Sequence, residues 1–403
     1  MRIGYLVSQY PATSHTFIRR EIAALRERGL DIETFSIRKP HPEERVSDVE
    51  QAEMARTWYV LPPRADIVVA HARALFRHPV RYVRALADAL RHRVPGLRAL
   101  LLAFMYFGEA IYLADRLRGR RIEHLHNHFA NPSANVGLVA STYLGIGWSV
   151  TLHGTSEFDY PAGLLLGAKL ERARFAVCIS HYTRAQALRA VAPAHWDKLF
   201  VSRCGVDPVF LDVRRNEAER RGRSGRLRIL CVARLSPEKG LVGLLHAFHA
   251  VVRNGIDVEL RIVGDGPDGD LLRRKVEELD LGDRVSLPGR VGEHLIVDEL
   301  ARADIFAISS FMEGLPVVLM EAMAQRVAVV APRVAGIPEL VEGGVTGLLF
   351  SPGHWDELTD RLCALSHDPS LRERLASAGR DRVLEQFDIR RAIEPLAARL
   401  EAL

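Results

Sequence analysis

Short runs of β-branched and apolar residues alternate with helical stretches along the whole chain, and this alternation restricts the possible folds more than any other feature. Parallel sheets with helices on both faces produce such runs, because their strands are buried on both sides. The first half predicts strands at Arg2–Ser8, Asp31–Ile37, Glu123–His126, Trp148–Leu152, Arg174–Ile179 and Leu199–Ser202. The second half predicts strands at Leu227–Val232, Glu259–Val263, Val285–Leu287, Ile305–Ile308, Ala328–Ala331 and Gly347–Phe350. The predicted fold class is α/β, with two tandem Rossmann-like, doubly wound parallel sheets.

The length of 403 residues leaves room for two domains of ordinary size. A polar, glycine-containing stretch at 216–225 marks an exposed connection, and we place the boundary before it, near residue 204. The predicted domains are therefore 1–203 and 204–385, with a C-terminal helix at 386–403 that packs back on the first domain. Two open sheets in one chain predict a cleft lined by the carboxyl ends of strands, where active-site loops lie.

Charge is distributed unevenly along the chain, although its total is only +5. Residues 1–203 carry a net +10, whereas residues 204–403 carry a net −5. The segment 61–121 contains twelve arginines, no lysine and four acidic residues, with apolar residues between the arginines. This pattern is typical of helices on an anionic membrane surface, and the alternative is that the arginines form an ordinary solvated helix face. A recognised nucleic-acid-binding module does not accompany it, so nucleic acid is not an expected partner.

Three features bear on the location of the protein. The most apolar run, 99–108, is interrupted by Glu109 and is shorter than the roughly 20 residues that cross a bilayer, so a core or interfacial helix is predicted. The chain begins with a strand pattern rather than a secretory signal. Four cysteines without C-x-x-C spacing predict free thiols rather than zinc ligands or disulfides: Cys178, Cys204, Cys231 and Cys363. We expect a cytoplasmic protein that can lie on the inner face of the membrane.

The strongest local signal is a pair of glutamates, Glu313 and Glu321, separated by seven residues. A loop at 309–314 follows a predicted strand, and Pro316 suits the first turn of the next helix. Carboxylates beside a helix N-terminus fit a ligand with hydroxyl groups at one end and phosphate at the other, since the helix amides attract the anion. The alternative is that Glu313 only caps the helix and Glu321 lies on the surface.

Two cations flank the loop that follows the first strand of the second half. Arg234 and Lys239 lie at the carboxyl end of that strand and next to a helix start, which predicts an anion site suited to a diphosphate. The alternative is a pair of solvated side chains. Gly264 and Gly266 follow the next strand and resemble a shortened dinucleotide fingerprint, but the complete G-x-G-x-x-G pattern is absent.

Histidines are concentrated in the first half. His124, His126 and His128 alternate along one strand and so share a face, where a metal site is conceivable; packing or loop anchoring is the alternative, and we predict no metal. His153 follows another strand, where it is either a functional residue or an ordinary loop hydrogen-bonding group. Ser14 and His15 are predicted to start the first helix and to present their amides to an anion or an acceptor.

Several motifs, in their order along the chain, resemble the retaining nucleotide-sugar glycosyltransferases of family 4, which have two Rossmann-like domains in the GT-B arrangement. The resemblance is dense over 226–388 and includes these segments: 234–240, 263–267, 313–324, 336–340 and 343–349. It is thinner in the first half, where 10–22 and 152–159 resemble the subgroup that builds bacterial exopolysaccharides of the colanic-acid type.

The resemblance implies roles for the second-half residues in binding the donor. Arg234 and Lys239 would hold the donor diphosphate and stabilise its growing charge, so that no metal or other cofactor is required. Glu321 would bind the nucleotide ribose, and Glu313 would face hydroxyl groups of the donor sugar. The remaining donor-binding positions are glycines and helix-start residues: Gly264, Gly266, Gly314, Leu315 and Val317. This chain has Leu315-Pro316 where many relatives have a further glycine, and proline offers no amide hydrogen there.

The resemblance also implies roles in the first half. His153 matches the family histidine near the donor sugar and the acceptor, and Ser14 and His15 lie on the first loop, which lacks the paired glycines of many relatives. The implied partners are a nucleotide sugar, a saccharide or lipid-linked oligosaccharide acceptor, and an anionic membrane surface. The implied reaction is retaining sugar transfer in surface-polysaccharide synthesis. The alternatives are a nucleotide-sugar epimerase or a phosphorylase on the same architecture, an oxidoreductase, and a non-catalytic scaffold of a polysaccharide assembly complex.

Overall fold

The computed structural model describes residues 1–12, 15–40, 48–62, 65–159, 162–212 and 225–403, except the side chains of Thr155, Glu293 and His294. The chain divides into two compact units. Unit 1 consists of Met1–Arg203 together with Ile393–Leu403, and unit 2 consists of Cys204–Ala392. The last helix therefore belongs to unit 1, but the switch from unit 2 occurs at residue 393 rather than at 386.

Unit 1 contains a seven-stranded parallel sheet in the order β3-β2-β1-β4-β5-β6-β7. Its strands are β1 Arg2–Gln9, β2 Asp31–Arg38, β3 Trp58–Tyr59, β4 His124–His128, β5 Gly147–Leu152, β6 Ala176–Cys178 and β7 Leu199–Val201. Its helices are α1 Thr16–Glu27, α2 Asp48–Arg56, α3 Asp66–Arg77, α4 Pro79–Arg91, α5 Leu97–Gly119, α6 Pro132–Leu144, α7 Ala162–Arg172, α8 His181–Arg189 and the C-terminal Glu394–Glu401. From β1 the chain adds β2 and β3 on one side and then β4 to β7 on the other. The strand order therefore reverses between β1 and β4, as in a doubly wound sheet.

Unit 2 contains a six-stranded parallel sheet in the order β10-β9-β8-β11-β12-β13. Its strands are β8 Leu227–Val232, β9 Val258–Val263, β10 Val285–Gly289, β11 Ile305–Ala307, β12 Ala328–Pro332 and β13 Leu348–Phe350. Its helices are α9 Leu241–Arg253, α10 Gly269–Glu278, α11 Glu293–Ala301, α12 Val317–Ala324, α13 Ile337–Leu340, α14 Trp355–His367, α15 Pro369–Gln386 and α16 Ile389–Ala392, so the C-terminal helix of unit 1 is α17. The reversal of strand order lies between β8 and β11.

The predicted α/β class is confirmed, and each of the predicted strands is present with its ends within two residues of the expected positions. The sequence missed β3, because two residues are too few to form a pattern. Central strands are buried on both faces, as the apolar runs predicted; Ile229, Leu230 and Cys231 of β8 are fully buried. None of the four cysteines forms a disulfide bond, and three of them, Cys178, Cys204 and Cys231, are buried.

The apolar run at 99–108 is part of a longer helix, since Glu109 interrupts the apolar pattern without ending the helix. Helix α5 continues through Glu109 to Gly119, and by length and composition alone it could span a bilayer. Its C-terminal half nevertheless packs into the core of unit 1 through residues such as Ile111 and Leu113. Core helices of globular proteins meet the same criterion, and the C-terminal half of α5 is such a core segment.

Candidate functional site

The site in unit 2 forms where its strand order reverses. The loop after β8 contains Arg234 and leads through a short 3-10 turn, Pro237–Lys239, into α9. The loop after β11 contains Glu313 and leads into α12. Because neighbouring parallel strands end at the same edge of the sheet, the two loops meet at the position where doubly wound folds bind ligands.

Lys239 and Glu313 form an ion pair in which the ammonium nitrogen lies 2.7 Å from Oε1 of the carboxylate. The Ser310 hydroxyl donates to the same oxygen at 2.6 Å. The two loops are also joined by the Ser309 hydroxyl, which donates to the Lys239 carbonyl oxygen at 2.8 Å. The structure therefore brings together two predicted site residues that are far apart in sequence, and it adds Ser309 and Ser310, which the sequence analysis did not select.

Arg234 differs from Lys239 in having its side chain exposed, and no described residue forms an ion pair with it. Nearby Glu238 accepts a hydrogen bond from the Ser236 hydroxyl at 2.6 Å. Burial alone would raise the pKa of Glu238, but the Ser236 hydroxyl and the charges of Lys239 and Arg234 lower it overall. The loop therefore carries one paired and one exposed cation beside a charged carboxylate.

Helix α12 begins at Val317, so the prediction that Pro316 lies in its first turn is wrong by one position. Pro316 precedes the helix, and its carbonyl accepts from the Leu319 amide at 3.1 Å. The amides of the first helical turn have no partner within the helix, which makes this end attractive to an anion. Glu321 lies one turn further along and is buried, whereas the alternative interpretation placed it on the surface.

Gly264 and Gly266 hold the loop after β9 tightly against the loop after β8. Gly264 has φ +149°, and a Cβ atom there would lie 1.8 Å from the Ala233 carbonyl oxygen. A Cβ atom at Gly266 would lie 2.4 Å from the Leu235 carbonyl oxygen. Both obstacles are backbone atoms, so a side chain can be accommodated only if the two loops separate.

In unit 1 a cluster of aromatic side chains forms at the corresponding reversal between β1 and β4. His153, in the loop after β5, has its Nε2 atom 2.8 Å from Nδ1 of His128 at the end of β4. The rings of Phe17 and Phe129 lie against His153, with centroid distances of 4.8 Å and 4.4 Å. His15 joins the cluster through Phe129, at 4.9 Å between centroids.

Burial favours the neutral form of two histidines of this cluster, His153 and His15. It lowers the pKa of His153 well below the ordinary value, and the neighbouring histidines lower it further. It lowers the pKa of His15 to about 4. Ser14 lies outside the described residues. Helix α1 starts at Thr16 rather than at His15, and the His15 amide donates to the Ala12 carbonyl, so the prediction that this amide is offered to a ligand is wrong.

Two buried charged side chains that the sequence analysis missed, Glu157 and Lys169, bind the backbone around His153. The Glu157 carboxylate accepts hydrogen bonds from the amides of Ala130, His153 and Gly154. The Lys169 ammonium donates to the Ala130 carbonyl, and burial lowers the pKa of Lys169 to about 8. Glu157 lies only four residues after His153, but nothing in the sequence identified Lys169, which is on α7.

Glu21, His126 and His128 have potential metal-binding atoms within 4.8 Å of one another. Both ring nitrogens of His126, however, are within hydrogen-bond distance of hydroxyl groups, those of Ser149 at 2.7 Å and Thr151 at 2.8 Å. His124 also contacts the Ser149 hydroxyl, at 2.7 Å, which places these histidines on one face of β4 as predicted. A metal ion would have to displace these hydrogen bonds. The contacts of His124 and His126 are therefore explained better by packing than by a metal site.

Residues 213–382 match the family model described as glycosyl transferases group 1. The chain is 28% identical to WcaL of Escherichia coli K12, which is named for colanic acid biosynthesis as a glycosyltransferase, with 100% of both chains covered. It is also 28% identical to the amylovoran biosynthesis glycosyltransferase AmsK of Erwinia amylovora, again over 100% of both chains. The solved structure of Anabaena HepE in complex with UDP matches with a TM-score of 0.74 and 19% identity, covering 100% of both chains. This structural likeness confirms the predicted GT-B fold class with two Rossmann-like domains.

Proposed function

We propose that this chain is a family 4 glycosyltransferase that transfers a sugar from a nucleoside-diphosphate sugar to a saccharide acceptor in bacterial exopolysaccharide synthesis. The observation that carries the proposal is the Lys239–Glu313 pair at the strand-order reversal of unit 2. It places a cation for phosphate and a carboxylate for sugar hydroxyl groups side by side. The relatives named above act in the assembly of such polymers, according to their names.

The proposed roles of the site residues depend on where negative charge develops during sugar transfer. When the bond between the sugar and the diphosphate breaks, negative charge grows on the departing phosphate, and a fixed cation next to it lowers the barrier. Lys239 is held in position by Glu313, while exposed Arg234 can reach the other end of the diphosphate. Within the described part of the chain, only Oε1 of Glu313 has hydrogen-bond partners, which leaves Oε2 to accept from a hydroxyl group of the donor sugar. Glu321 is assigned to the ribose, next to the amides at the start of α12.

Retention of anomeric configuration and independence from metals are further parts of the proposal. The two cations at the donor site supply the positive charge that a divalent ion would otherwise provide. The acceptor hydroxyl attacks on the face from which the diphosphate leaves, and the departing phosphate oxygen takes its proton, so no covalent enzyme intermediate is formed. The reaction is placed in the cytoplasm, where nucleotide sugars are made.

A nucleotide panel tests the proposal. Thermal unfolding is measured with UDP, GDP, ADP and TDP and with their sugars, and a ligand at about 100 times its Kd should add roughly 2.7 kcal/mol of stability. We expect one base to stabilise the wild type but not the Arg234→Ala/Lys239→Ala double variant. Turnover with the matching sugar nucleotide should persist in EDTA and give a product with the anomeric configuration of the donor. No stabilisation and no transfer with any donor would contradict the proposal, and binding without transfer would favour the scaffold alternative.

A second part of the proposal concerns an anionic membrane surface, formed by the outer faces of α3, α4 and the first half of α5. These helices pack against one another, and His71 joins them by contacts with the Tyr82 hydroxyl and the Gly108 carbonyl. The buried residues of α3 and α4 are alanines, whereas their large apolar residues face outward. The exposed set is Val68, Val69, Leu75, Phe76, Val80, Val83, Leu97, Leu101, Phe104 and Met105.

Large apolar side chains outside and alanines inside are an unfavourable arrangement in water, because a contiguous apolar surface stays exposed to solvent. Phe76 is 85% exposed and Val80 is 73% exposed, at the junction of α3 and α4. Arginines surround this surface, so the bilayer that matches it has anionic headgroups above an apolar layer. A lipid-linked saccharide acceptor would be presented at the same membrane.

Vesicle co-sedimentation tests this surface. The triple variant Phe76→Ser/Val80→Ser/Val83→Ser should bind vesicles of phosphatidylglycerol and phosphatidylcholine at least about tenfold more weakly, since each side chain forfeits roughly 1.5–3 kcal/mol of apolar burial. A matched triple variant of exposed apolar residues in unit 2, Val209→Ser/Leu271→Ser/Val345→Ser, should bind like the wild type. Equal binding by both variants, or equal binding to pure phosphatidylcholine, would contradict the assignment.

A further inference from the structure

A pocket of about 220 Å³ lies in unit 1 at the amino end of β5. Its walls come from the end of α6, the loop into β5 and the segment between α7 and β6, and they include Ser141, Gly145, Gly147, Trp148, Arg172 and Arg174. Doubly wound sheets bind their substrates at the carboxyl ends of strands, so this pocket is separate from the sites considered above. It is also smaller than the roughly 300–1,000 Å³ of ordinary small-molecule sites, which leaves room for a small group but not for a nucleotide sugar.

The Ser141 hydroxyl lies in the wall of this pocket, is buried, and has no hydrogen-bond partner among the described residues. The residue is only 2% exposed. A serine or threonine inside a helix usually points to solvent or donates to the carbonyl four residues earlier. Neighbouring Thr142 does the latter, since its hydroxyl donates to the Leu138 carbonyl at 2.8 Å. A buried hydroxyl without a partner costs free energy, so a group that accepts its hydrogen would stabilise this part of unit 1.

Two guanidinium groups complete the polar lining of the pocket. Nη2 of Arg172 donates to the Asp88 carboxylate at 3.1 Å and to the Thr142 hydroxyl at 2.7 Å, which fixes its position and balances its charge. Arg174 is exposed and forms no ion pair or side-chain hydrogen bond with a described residue. Burial lowers the pKa of nearby His124 to about 4, and the charge of Arg174 also lowers it. The pocket therefore has one paired and one unpaired cation beside an unpartnered hydroxyl.

Helix α4 flanks the pocket and connects it to the apolar surface proposed above. Nη1 of Arg81 lies 3.6 Å from the position of a Cβ atom at Gly145. Asp88, the partner of the paired guanidinium, lies seven residues after Arg81 and so on nearly the same side of the helix. The same helix exposes Val80 and Val83. The pocket thus lies at the edge of the surface that we assign to a membrane.

We propose that this pocket binds a phosphate ester, whose oxygens accept hydrogen bonds from the Ser141 hydroxyl and from the guanidinium groups of Arg172 and Arg174. A phosphate ester presents up to three free acceptor oxygens to these three donor groups, whereas a carboxylate presents two. Asp88 balances Arg172, so Arg174 supplies the net positive charge. The phosphate belongs either to a phospholipid headgroup or to a small soluble ester. The lipid source rests on the membrane surface proposed above, whereas the pocket itself does not.

Titration calorimetry of the full chain with glycerol 3-phosphate tests the pocket without a membrane. The double variant Ser141→Ala/Arg174→Gln should bind at least about tenfold more weakly than the wild type, because it loses a charged donor and a buried hydroxyl donor. The matched control is Arg189→Gln, which removes an exposed arginine of α8 outside the pocket and should bind within about twofold of the wild type.

Vesicle flotation distinguishes the two sources of the phosphate. Phosphatidylcholine vesicles that contain phosphatidic acid, with its exposed phosphate ester, are compared with vesicles brought to the same surface charge by phosphatidylserine. A lipid ligand predicts a preference for phosphatidic acid that the double variant loses and Arg189→Gln keeps. A soluble ligand predicts no such preference, together with loss of glycerol 3-phosphate binding in the double variant. If the double variant behaves like Arg189→Gln in both experiments, the pocket is not a phosphate site.

Ser141→Ala alone covers the case in which the double variant does not fold. Without ligand its urea midpoint should equal or slightly exceed that of the wild type, because a methyl group replaces an unpartnered hydroxyl. Glycerol 3-phosphate should raise the midpoint of the wild type more than that of Ser141→Ala. A lower midpoint of the ligand-free variant, or an equal rise in both proteins, would overturn the role of Ser141. None of these measurements uses a nucleotide sugar, so their outcome is independent of the proposed sugar transfer.

Discussion

Replacing Lys239 by alanine is expected to lower kcat/KM for the nucleotide-sugar donor by about 10²–10³-fold, the usual effect of removing one preorganised charge from a transition state. Lys239 is the cation that Glu313 holds at 2.7 Å. Its loss removes the positive charge from the phosphate and also leaves Glu313 free to repel the diphosphate. The measurement is initial-rate kinetics with the donor identified by the nucleotide panel, at saturating acceptor.

The matched control is Lys275→Ala. Lys275 also pairs with a carboxylate in unit 2, that of Glu278, and its side chain is 23% exposed against 22% for Lys239. It lies on α10, away from the loops after β8 and β11, so its removal should leave kcat/KM within twofold of the wild type. Similar losses in both variants would mean that the rate responds to general changes in charge, and a negligible loss in Lys239→Ala would contradict the donor-site assignment.

Replacing Gly264 by alanine is expected to destabilise unit 2 by about 1–3 kcal/mol or more, the usual cost of forcing an extra methyl group into a packed site. The new Cβ atom would lie 1.8 Å from the Ala233 carbonyl oxygen, and the residue has φ +149°. Since the obstacle is backbone, relief requires that the loop before Ser236 moves, and the position of Arg234 changes with it. Urea unfolding and nucleotide titration of the same variant measure the two effects.

Gly282→Ala is the control for this substitution. Gly282 belongs to the same unit, and a Cβ atom there would have no neighbour within 4 Å. We expect its unfolding midpoint and nucleotide Kd to match those of the wild type. A Gly264→Ala protein with wild-type stability and wild-type affinity would show that the two loops can separate freely, contrary to the packing described above.

The sequence predicted the strands well because each is a short apolar run whose burial on both faces dictates its composition. It also predicted that Arg234, Lys239 and Glu313 lie in loops that follow strands ending at one edge of the sheet, and their role in donor binding stays a prediction. It did not predict that Lys239 and Glu313 pair, because their contact depends on β8 lying next to β11, which is a property of strand order.

The aromatic cluster of unit 1 was less accessible to sequence reasoning. His128 was considered only as a potential metal ligand or packing residue, and Glu21 was not singled out. Their relation to His153 depends on β1, β4 and β5 being adjacent, which brings α1 over the ends of β4 and β5. Lys169 and Glu157 were missed for the same reason, since a lysine in an amphipathic helix pattern gives no sign that it is 1% exposed.

The contact of Gly264 and Gly266 with the backbone after β8 has a practical consequence for changing donor preference. Randomising Gly264 or Gly266 would displace the loop after β8, since a Cβ atom at either position would lie against a backbone carbonyl oxygen of that loop. Phe311 and Met312 are more promising library positions, because their side chains are exposed on the loop that carries Glu313. Engineering of sugar or base selectivity should therefore begin at these two positions, with the glycines left unchanged.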